Sequence, residues 1–371
     1  QKNRISKLVV NSLFGTVSGK KISILGFSFK ANTNDTRNSP SIKICKDLLD
    51  EGALLSIYDP KVDKVQIEND LNILNFDNSL NNPQDSFIYA ESIEQSIQDS
   101  HAILILTEWK EFNKINWHKV DLFNDNEVEA LIQKIKPTHI IHLAWYTEHG
   151  KFWNSEKNKD WINSSIKLFK LFKKYNGKRF ISAGSKAEYF DGEFMQDYLD
   201  SSFEFNETDD PCPNTIYGQS KNSLHIELNK LDKNKKSLVW ARVFDTYGPY
   251  ENDKKFCSYL IKSCINKKQI SCNNPFLGID FLHVHDIANA FKLILENEFL
   301  GIINISSGKT TSLKFISEYI TKKFDCENLL KLNCESKDRR QIIGNNEILK
   351  SLGWNCKFKI KDGLEDLIKF Y

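Results

Sequence analysis

Tyr217 and Lys221, four residues apart, are the pair in this chain best suited to moving a proton. On a helix, that spacing puts both side chains on one face. An ammonium beside a phenol stabilises the phenolate, lowers its pKa and lets it exchange protons near neutral pH. Spacing alone is a weak signal, since Tyr319 and Lys323 have it too; there an ordinary helix surface is expected. Context separates the two pairs. The apolar run Phe180-Ile181-Ser182 reads as a strand, Ser185 follows its end, and Tyr189 lies four residues on.

The elements that must position these residues alternate between strand and helix. In the second half, Glu127 to Ile135 reads as a helix that Pro137 breaks, and Thr138 to Ala144 as a strand. Lys159 to Tyr175 is a long amphipathic helix with Trp161, Ile162, Ile166, Phe169 and Phe172 inward, ended by Gly177. Strands follow at Arg179–Ser182, Leu238–Phe244 and Ile302–Ile305, and helices at Leu313–Phe324 and Asp362–Phe370. In the first half, an amphipathic stretch from Ile5 to Val17 precedes the β-branched run Lys21–Gly26. Ser39 and Pro40 open a helix with Ile42, Cys45 and Leu49 on one face, and Gly52 closes it. Leu54–Tyr58 and Ala102–Leu106 are further strands, Ser92–Gln98 a short helix, and residues 62–86 a polar, Asn-rich, irregular excursion. Such alternation implies an α/β fold built on a Rossmann-like parallel sheet.

The 371 residues suffice for two or three domains. A net charge of +2 gives no reason to invoke nucleic acid or an anionic membrane. No apolar run approaches the roughly 20 residues that span a bilayer. No leader is legible. The chain begins at Gln1 and its one methionine is Met195, which reads as a start lying upstream or trimmed. Eight cysteines without a CxxC pair suggest reduced thiols in a cytoplasmic protein and no metal site.

Two resemblances emerge from ordered blocks. Gly26-Phe27-Ser28-Phe29-Lys30, Asn34-Asp35-Thr36-Arg37-Asn38-Ser39-Pro40, Tyr58-Asp59-Pro60 and Thr107-Glu108-Trp109 make residues 1–117 similar to the C-terminal, UDP-binding domain of UDP-glucose 6-dehydrogenase. The resemblance places Lys30 near a UDP-sugar. The NAD domain and nucleophilic cysteine of that family have no counterpart in the chain. Residues 118–371 resemble an extended short-chain dehydrogenase of the NAD-dependent sugar-nucleotide epimerase and dehydratase kind. The blocks are Ser182-Ala183-Gly184-Ser185 with Tyr189, Tyr217-x-x-x-Lys221, Arg242-Val243-Phe244-Asp245-Thr246-Tyr247-Gly248-Pro249, Asp280-Phe281-Leu282-His283 and Leu352-Gly353-Trp354.

This second resemblance implies that Ser185, Tyr217 and Lys221 are catalytic. It implies that Asp121, Leu122, Leu143, Ala144, Asn163 and Lys221 bind NAD or NADP, and that Asp245 and Asp280 face a nucleotide-sugar substrate in a smaller C-terminal lobe. A homodimer is open. Three departures stand out: no G-x-x-G-x-x-G turn exists in the chain, which predicts weak or absent cofactor binding; Ile279 stands where an arginine is usual; and Asp245 replaces an asparagine. Each half also has a strand short of a neighbour, Ala102–Leu106 and His139–Leu143. Their pairing would give one continuous sheet. Two other readings stay open: a UDP-sugar-binding fragment without catalysis, and a non-catalytic fusion.

Overall fold

The computed structural model describes all residues except 1, 14, 73–86, 110, 111, 113–117, 190–197, 234 and 235. The chain divides into two compact units, Gln1–Lys119 and Val120–Tyr371.

The first unit runs α1 (Lys2–Ser12), β1 (Lys21–Leu25), α2 (Pro40–Asp50), β2 (Leu54–Tyr58), α3 (Lys64–Leu71), β3 (Phe87–Tyr89), α4 (Ile93–Ile97) and β4 (Ala102–Ile105). Its sheet has the order β3-β2-β1-β4, with all strands parallel. β1 is central and covered on both faces, which is why its run carries no exposed residue. Ile22, Ile24, Ile44, Leu48, Leu55 and Ile57 form the core beside it. Ser39 caps α2, its Oγ accepting from Ser41 N, with Pro40 in the first turn. The buried face of α2 is Ser41, Ile44, Cys45 and Leu48. Ile42 and Leu49, expected to point inward, flank this stripe and are half-buried.

Residues 64–71, expected to be irregular, form α3. Its polar ends are caps: Asp63 accepts from Gln66 N at 2.9 Å, and Asn72 adopts the left-handed conformation that closes a helix. Ile67 and Leu71, four apart, are its buried face. The rest of that stretch, 73–86, lies outside the described residues.

The second unit opens with α5 (Asp125–Ile135), β5 (His139–His142), α6 (Lys157–Lys174), β6 (Arg179–Ser185), β7 (Ser202–Phe205), α7 (Ile216–Leu231), β8 (Leu238–Val243) and β9 (Asp245–Tyr247). Its main sheet is parallel, in the order β5-β6-β8 and then the Gly301–Ile305 strand. β6 runs past its expected end at Ser182 as far as Ser185. Phe180 on β6 meets Phe169 and Phe172 of α6, with ring centroids 5.1 and 5.5 Å away. A Cβ on Gly177 would stand 2.1 Å from the Phe172 ring, so this turn needs glycine. β7 belongs to a smaller sheet with Gln341–Gly344, Gly278–Ile279 and Thr311–Ser312, and β9 pairs with Phe281–His283. A separate core around Leu260, Ile316, Ile320 and Leu364 supports this lobe.

Among the described residues, the first ladder ends at β4 and the second at β5, and no register joins them. The continuous sheet expected from these two strands is therefore two four-stranded sheets.

Candidate functional site

The C-terminal end of β6 delivers Ser185. Its Oγ accepts from Ala187 N at 3.2 Å, while its own N–H donates to Glu188 Oε1 at 2.7 Å. This reciprocal capping box fixes the 3-10 turn Lys186–Glu188. α7 then lies against that turn, with Thr215 capping it by accepting from Gly218 N at 3.1 Å. A Cβ on Gly218 would stand 2.2 Å from Ala187 O, so glycine is what lets the Tyr217–Lys221 helix approach Ser185. Gly218→Ala is expected to push α7 off the turn at a cost of about 1–3 kcal/mol, read by denaturant unfolding. An unchanged midpoint would show that the turn yields freely.

The Tyr217 ring is half-buried and held edge-on by Phe152 and Trp153, at 5.0 and 5.7 Å between centroids. Lys221 Nζ lies 5.9 Å from the Tyr217 ring centroid. It donates to Ala183 O at 2.8 Å and sits 3.8 Å above the Trp145 ring. Trp145 is anchored in turn, its Nε1 donating to Asn158 Oδ1 at 2.8 Å. Asn158, fully buried, also donates to the Phe152 and Ser155 carbonyls. Lys221 is 4% exposed. Burial pulls its pKa down to about 7, against an opposing pull from the Glu188 carboxylate. Burial, with a smaller push from Lys221, brings His142 down to about 4; its Nε2 is 2.8 Å from Ser165 Oγ.

Ser185, Tyr217, Lys221, Leu143, Trp145 and Asp245 share a cavity of about 620 Å³. Asp245 is ion-paired with Lys186, so a phosphate-bearing ligand would not face a bare carboxylate. Leu122 and Asn163 line a separate cleft of about 560 Å³ with Phe123, Tyr146 and Trp161. Ser164 Oγ donates to Leu122 O at 2.6 Å, tying α6 to that segment.

Asp121, Ala144 and Asp280 line neither space. Asp121 is exposed and accepts from Phe123 N at 3.0 Å. Asp280 is fully buried: Ser307 N and Oγ donate to its Oδ1, and Gly308 N and Gly344 N donate to its Oδ2. That carboxylate ties the segment between Ile279 and Phe281, which line the cavity, to Ser307, Gly308 and the end of the Gln341–Gly344 strand. The control pair behaves as expected: Tyr319 and Lys323 meet on the helix surface, and both reach Glu365.

Lys30 is exposed in the first unit. The strand end beside it is filled from within. Asp59 Oδ2 accepts from Phe27 N at 2.7 Å, Ser28 N at 3.0 Å and Ser28 Oγ at 3.0 Å. A dinucleotide-binding strand end offers such amides to a pyrophosphate; here a buried carboxylate takes them. Gly26 belongs to this closure, since its Cβ would meet Thr107 at 2.5 Å.

Sequence reasoning missed Trp145, Asn158, Phe152, Trp153 and Glu188. Glu188, three residues after Ser185, carried a legible capping-box signal. The aromatic residues carried none, because their contacts are made across separate elements.

Among the described residues, no group of three His, Cys, Asp or Glu side chains could hold a metal, and no helix is long and apolar enough to cross a membrane. For NAD, the residues fit the reacting end. A phenol, an ammonium and a hydroxyl converge on one cavity, but the chain has no glycine-rich turn for the pyrophosphate.

Two family models match the chain. Residues 23–131 match the UDP-glucose/GDP-mannose dehydrogenase family, UDP binding domain. Residues 89–306 match the NAD dependent epimerase/dehydratase family. UDP-glucose 6-dehydrogenase 4 of Arabidopsis thaliana is 41% identical over 140 residues, covering 36% of this chain and 29% of the plant protein. The Drosophila melanogaster UDP-glucose 6-dehydrogenase is 42% identical over 120 residues, covering 32% and 25%. The chain thus spans less than a third of these relatives.

The fold is also similar to solved structures. Thermotoga maritima UDP-glucose 4-epimerase with UDP-glucose superposes with a TM-score of 0.58 at 16% identity, covering 94% of this chain and 98% of that one. Bacillus anthracis dTDP-glucose 4,6-dehydratase in complex with NAD gives 0.57 at 17% identity, covering 95% and 96%. With the match of residues 89–306 extending over more than half its length, the chain belongs to the NAD dependent epimerase/dehydratase family.

Proposed function

We propose that the second unit is an NAD-linked oxidoreductase of nucleotide sugars, working as an epimerase, dehydratase or reductase. The observation that carries this reading is the convergence of Ser185, Tyr217 and Lys221 on one cavity of about 620 Å³. NAD, when bound, supplies a two-electron hydride exchange with a sugar carbon. Tyr217 holds and moves the proton at its phenolic oxygen. Lys221 orients the nicotinamide ribose and favours the phenolate. Ser185 hydrogen-bonds the reacting sugar oxygen. Leu143 at the strand end would flank the cofactor, and Leu122 and Asn163 would take its adenine end, where Phe123 and Trp161 offer aromatic surface; Asp121 and Ala144, expected beside it, line neither space. Asp245, neutralised by Lys186, faces the substrate, and Asp280 holds the loop beneath it. NADP is the alternative cofactor, and a dimer is the assembly to test.

A second reading assigns UDP-sugar binding to the first unit through exposed Lys30. It is favoured by the matched UDP-binding domain over residues 23–131. Calorimetric titration of the full chain with NAD and with UDP-glucose separates the two. NAD binding lost in Lys221→Ala supports the first, and UDP-glucose binding lost in Lys30→Ala supports the second. A chain that binds neither probe would overturn both and leave a non-catalytic fusion.

A further inference from the structure

Glu188 is a fully buried carboxylate that lines neither cavity. Its Oε1 accepts from Ser185 N at 2.7 Å and from Trp240 Nε1 at 3.1 Å. Its Oε2 accepts from Trp240 Nε1 at 2.8 Å and from Arg242 Nε at 3.1 Å. Gly184, just before Ser185, leaves room for it: a Cβ there would stand 2.6 Å from Oε1. One residue earlier, the Ala183 carbonyl accepts from Lys221 Nζ at 2.8 Å. Three successive residues of β6 therefore meet Lys221, Glu188 and the turn carrying the Ser185 hydroxyl.

The surrounding charges make this carboxylate the middle of a buried series. Lys221 on α7 faces Glu188 from the turn, His142 from β5 and Tyr217 from its own helix. Arg242 on β8 bonds Glu188 and lies 4.2 Å from the Tyr189 ring centroid. Tyr189 OH donates to Asn304 Oδ1 at 2.8 Å, and Asn304 N donates to Glu207 Oε1 at 2.9 Å. His225, stacked 5.0 Å from Trp240, is pulled down to about 4 by burial and by Arg242. With His142 and His225 held low, Lys221 and Arg242 both draw on the Glu188 carboxyl, whose own pKa burial raises while Arg242, the Ser185 N–H and Trp240 pull it back down; Glu207 is a second buried carboxyl on the Arg242 side. Removing the Glu188 charge takes away the opposing pull on Lys221, so that its charged form becomes costlier in a low-dielectric interior.

We propose that Glu188 is a positioning residue for this site, fixing the Ser185 backbone and supplying the buried negative charge beside the Lys221 ammonium. Its catalytic consequence rests on the function proposed above; its effect on Lys221 does not. The test is the titration of Lys221 in the full chain by NMR of 13Cε-labelled lysine, with the signal assigned by its loss in Lys221→Met. Glu188→Gln keeps the volume and removes the charge. It is expected to lower the Lys221 midpoint by about one pH unit or more, tenfold in the ionisation constant. Glu188→Asp retains the charge and is expected to keep the midpoint within about half a unit of the parent.

A folded Glu188→Gln chain with an unmoved Lys221 midpoint would overturn the proposal. If the variants do not fold, 13Cδ-labelled glutamate in the unsubstituted protein gives the answer. The Glu188 signal must inflect at the pH where Lys221 titrates, and a flat Glu188 signal there overturns the proposal equally. Failure of NAD to bind would remove the proposed function and leave this coupling standing.

Discussion

Tyr217→Phe is expected to lower turnover of a nucleotide sugar by about 10²–10⁴-fold, the usual contribution of a positioned general acid or base. The substitution is conservative where packing is concerned. Phenylalanine keeps the edge-on contacts with Phe152 and Trp153 and removes only the hydroxyl. Gly218 and the Thr215 cap, which seat the helix, are untouched. The expected signature is a fall in kcat with KM nearly unchanged, because an interaction made in the transition state is lost while binding remains. Steady-state rates of NAD reduction or sugar epimerisation over a panel of UDP-sugars would measure it. A rise in KM alone would move Tyr217 from proton transfer to substrate binding.

Lys221→Met is expected to change how stability depends on pH. The lysine's folded pKa is about 7 because burial penalises its charge, against an ordinary value of 10.5 in the open chain. Between those values the unfolded chain binds the extra proton and the folded one does not. The Lys221 contribution to stability therefore rises with pH across that window and is lost as pH falls through about 7. The slope approaches about 1.4 kcal/mol per pH unit. Below the window the native state carries a buried ammonium at full cost; methionine, similar in length and apolar, avoids it. The methionine variant should be relatively most stable near pH 6 and should lose roughly 3 kcal/mol of that advantage by pH 9, the remainder going as pH rises to 10.5. Urea unfolding of both chains at several pH values gives the difference directly, and parallel profiles would show that Lys221 is not titrating in the native state. Tyr189 and Tyr371, pushed up to about 12, act in the opposite direction above pH 10, so the variant-minus-parent difference is the quantity to read.

These two expectations pull against each other. The ammonium that the proposed function sets beside Tyr217 is the one that costs stability. Its surroundings show how the cost is contained: the Ala183 carbonyl accepts a hydrogen bond from it, the Trp145 face covers the charge, and Glu188 opposes it. An anionic ligand in the cavity would add to that opposition and raise the lysine further.

Much of the scaffold was legible because its signals are local. Ser39 with Pro40, Gly52 and Gly177 marked element ends, and the β-branched run at Lys21–Leu25 marked a strand buried on both faces. Local signals also misled. The polar stretch after Pro60 hid α3, whose Asp63 and Asn72 were caps rather than loop residues. Two unpaired strands suggested one sheet, but nothing in strand composition says whether a short edge will be paired or left open.

By itself the sequence determined the alternating α/β order and the two blocks of family resemblance, and it singled out Ser185, Tyr217 and Lys221 as the candidate set, because periodicity, caps and motif spacing are written along the chain. Only the tertiary structure decided that Asp280 ties loops together, that Asp59 closes the strand end beside Lys30, that Lys186 neutralises Asp245, and that Glu188 and Trp145 enclose the lysine. Those outcomes depend on which distant groups compete for the same buried donors and charges. That competition is settled by three-dimensional proximity and desolvation, neither of which a linear pattern encodes.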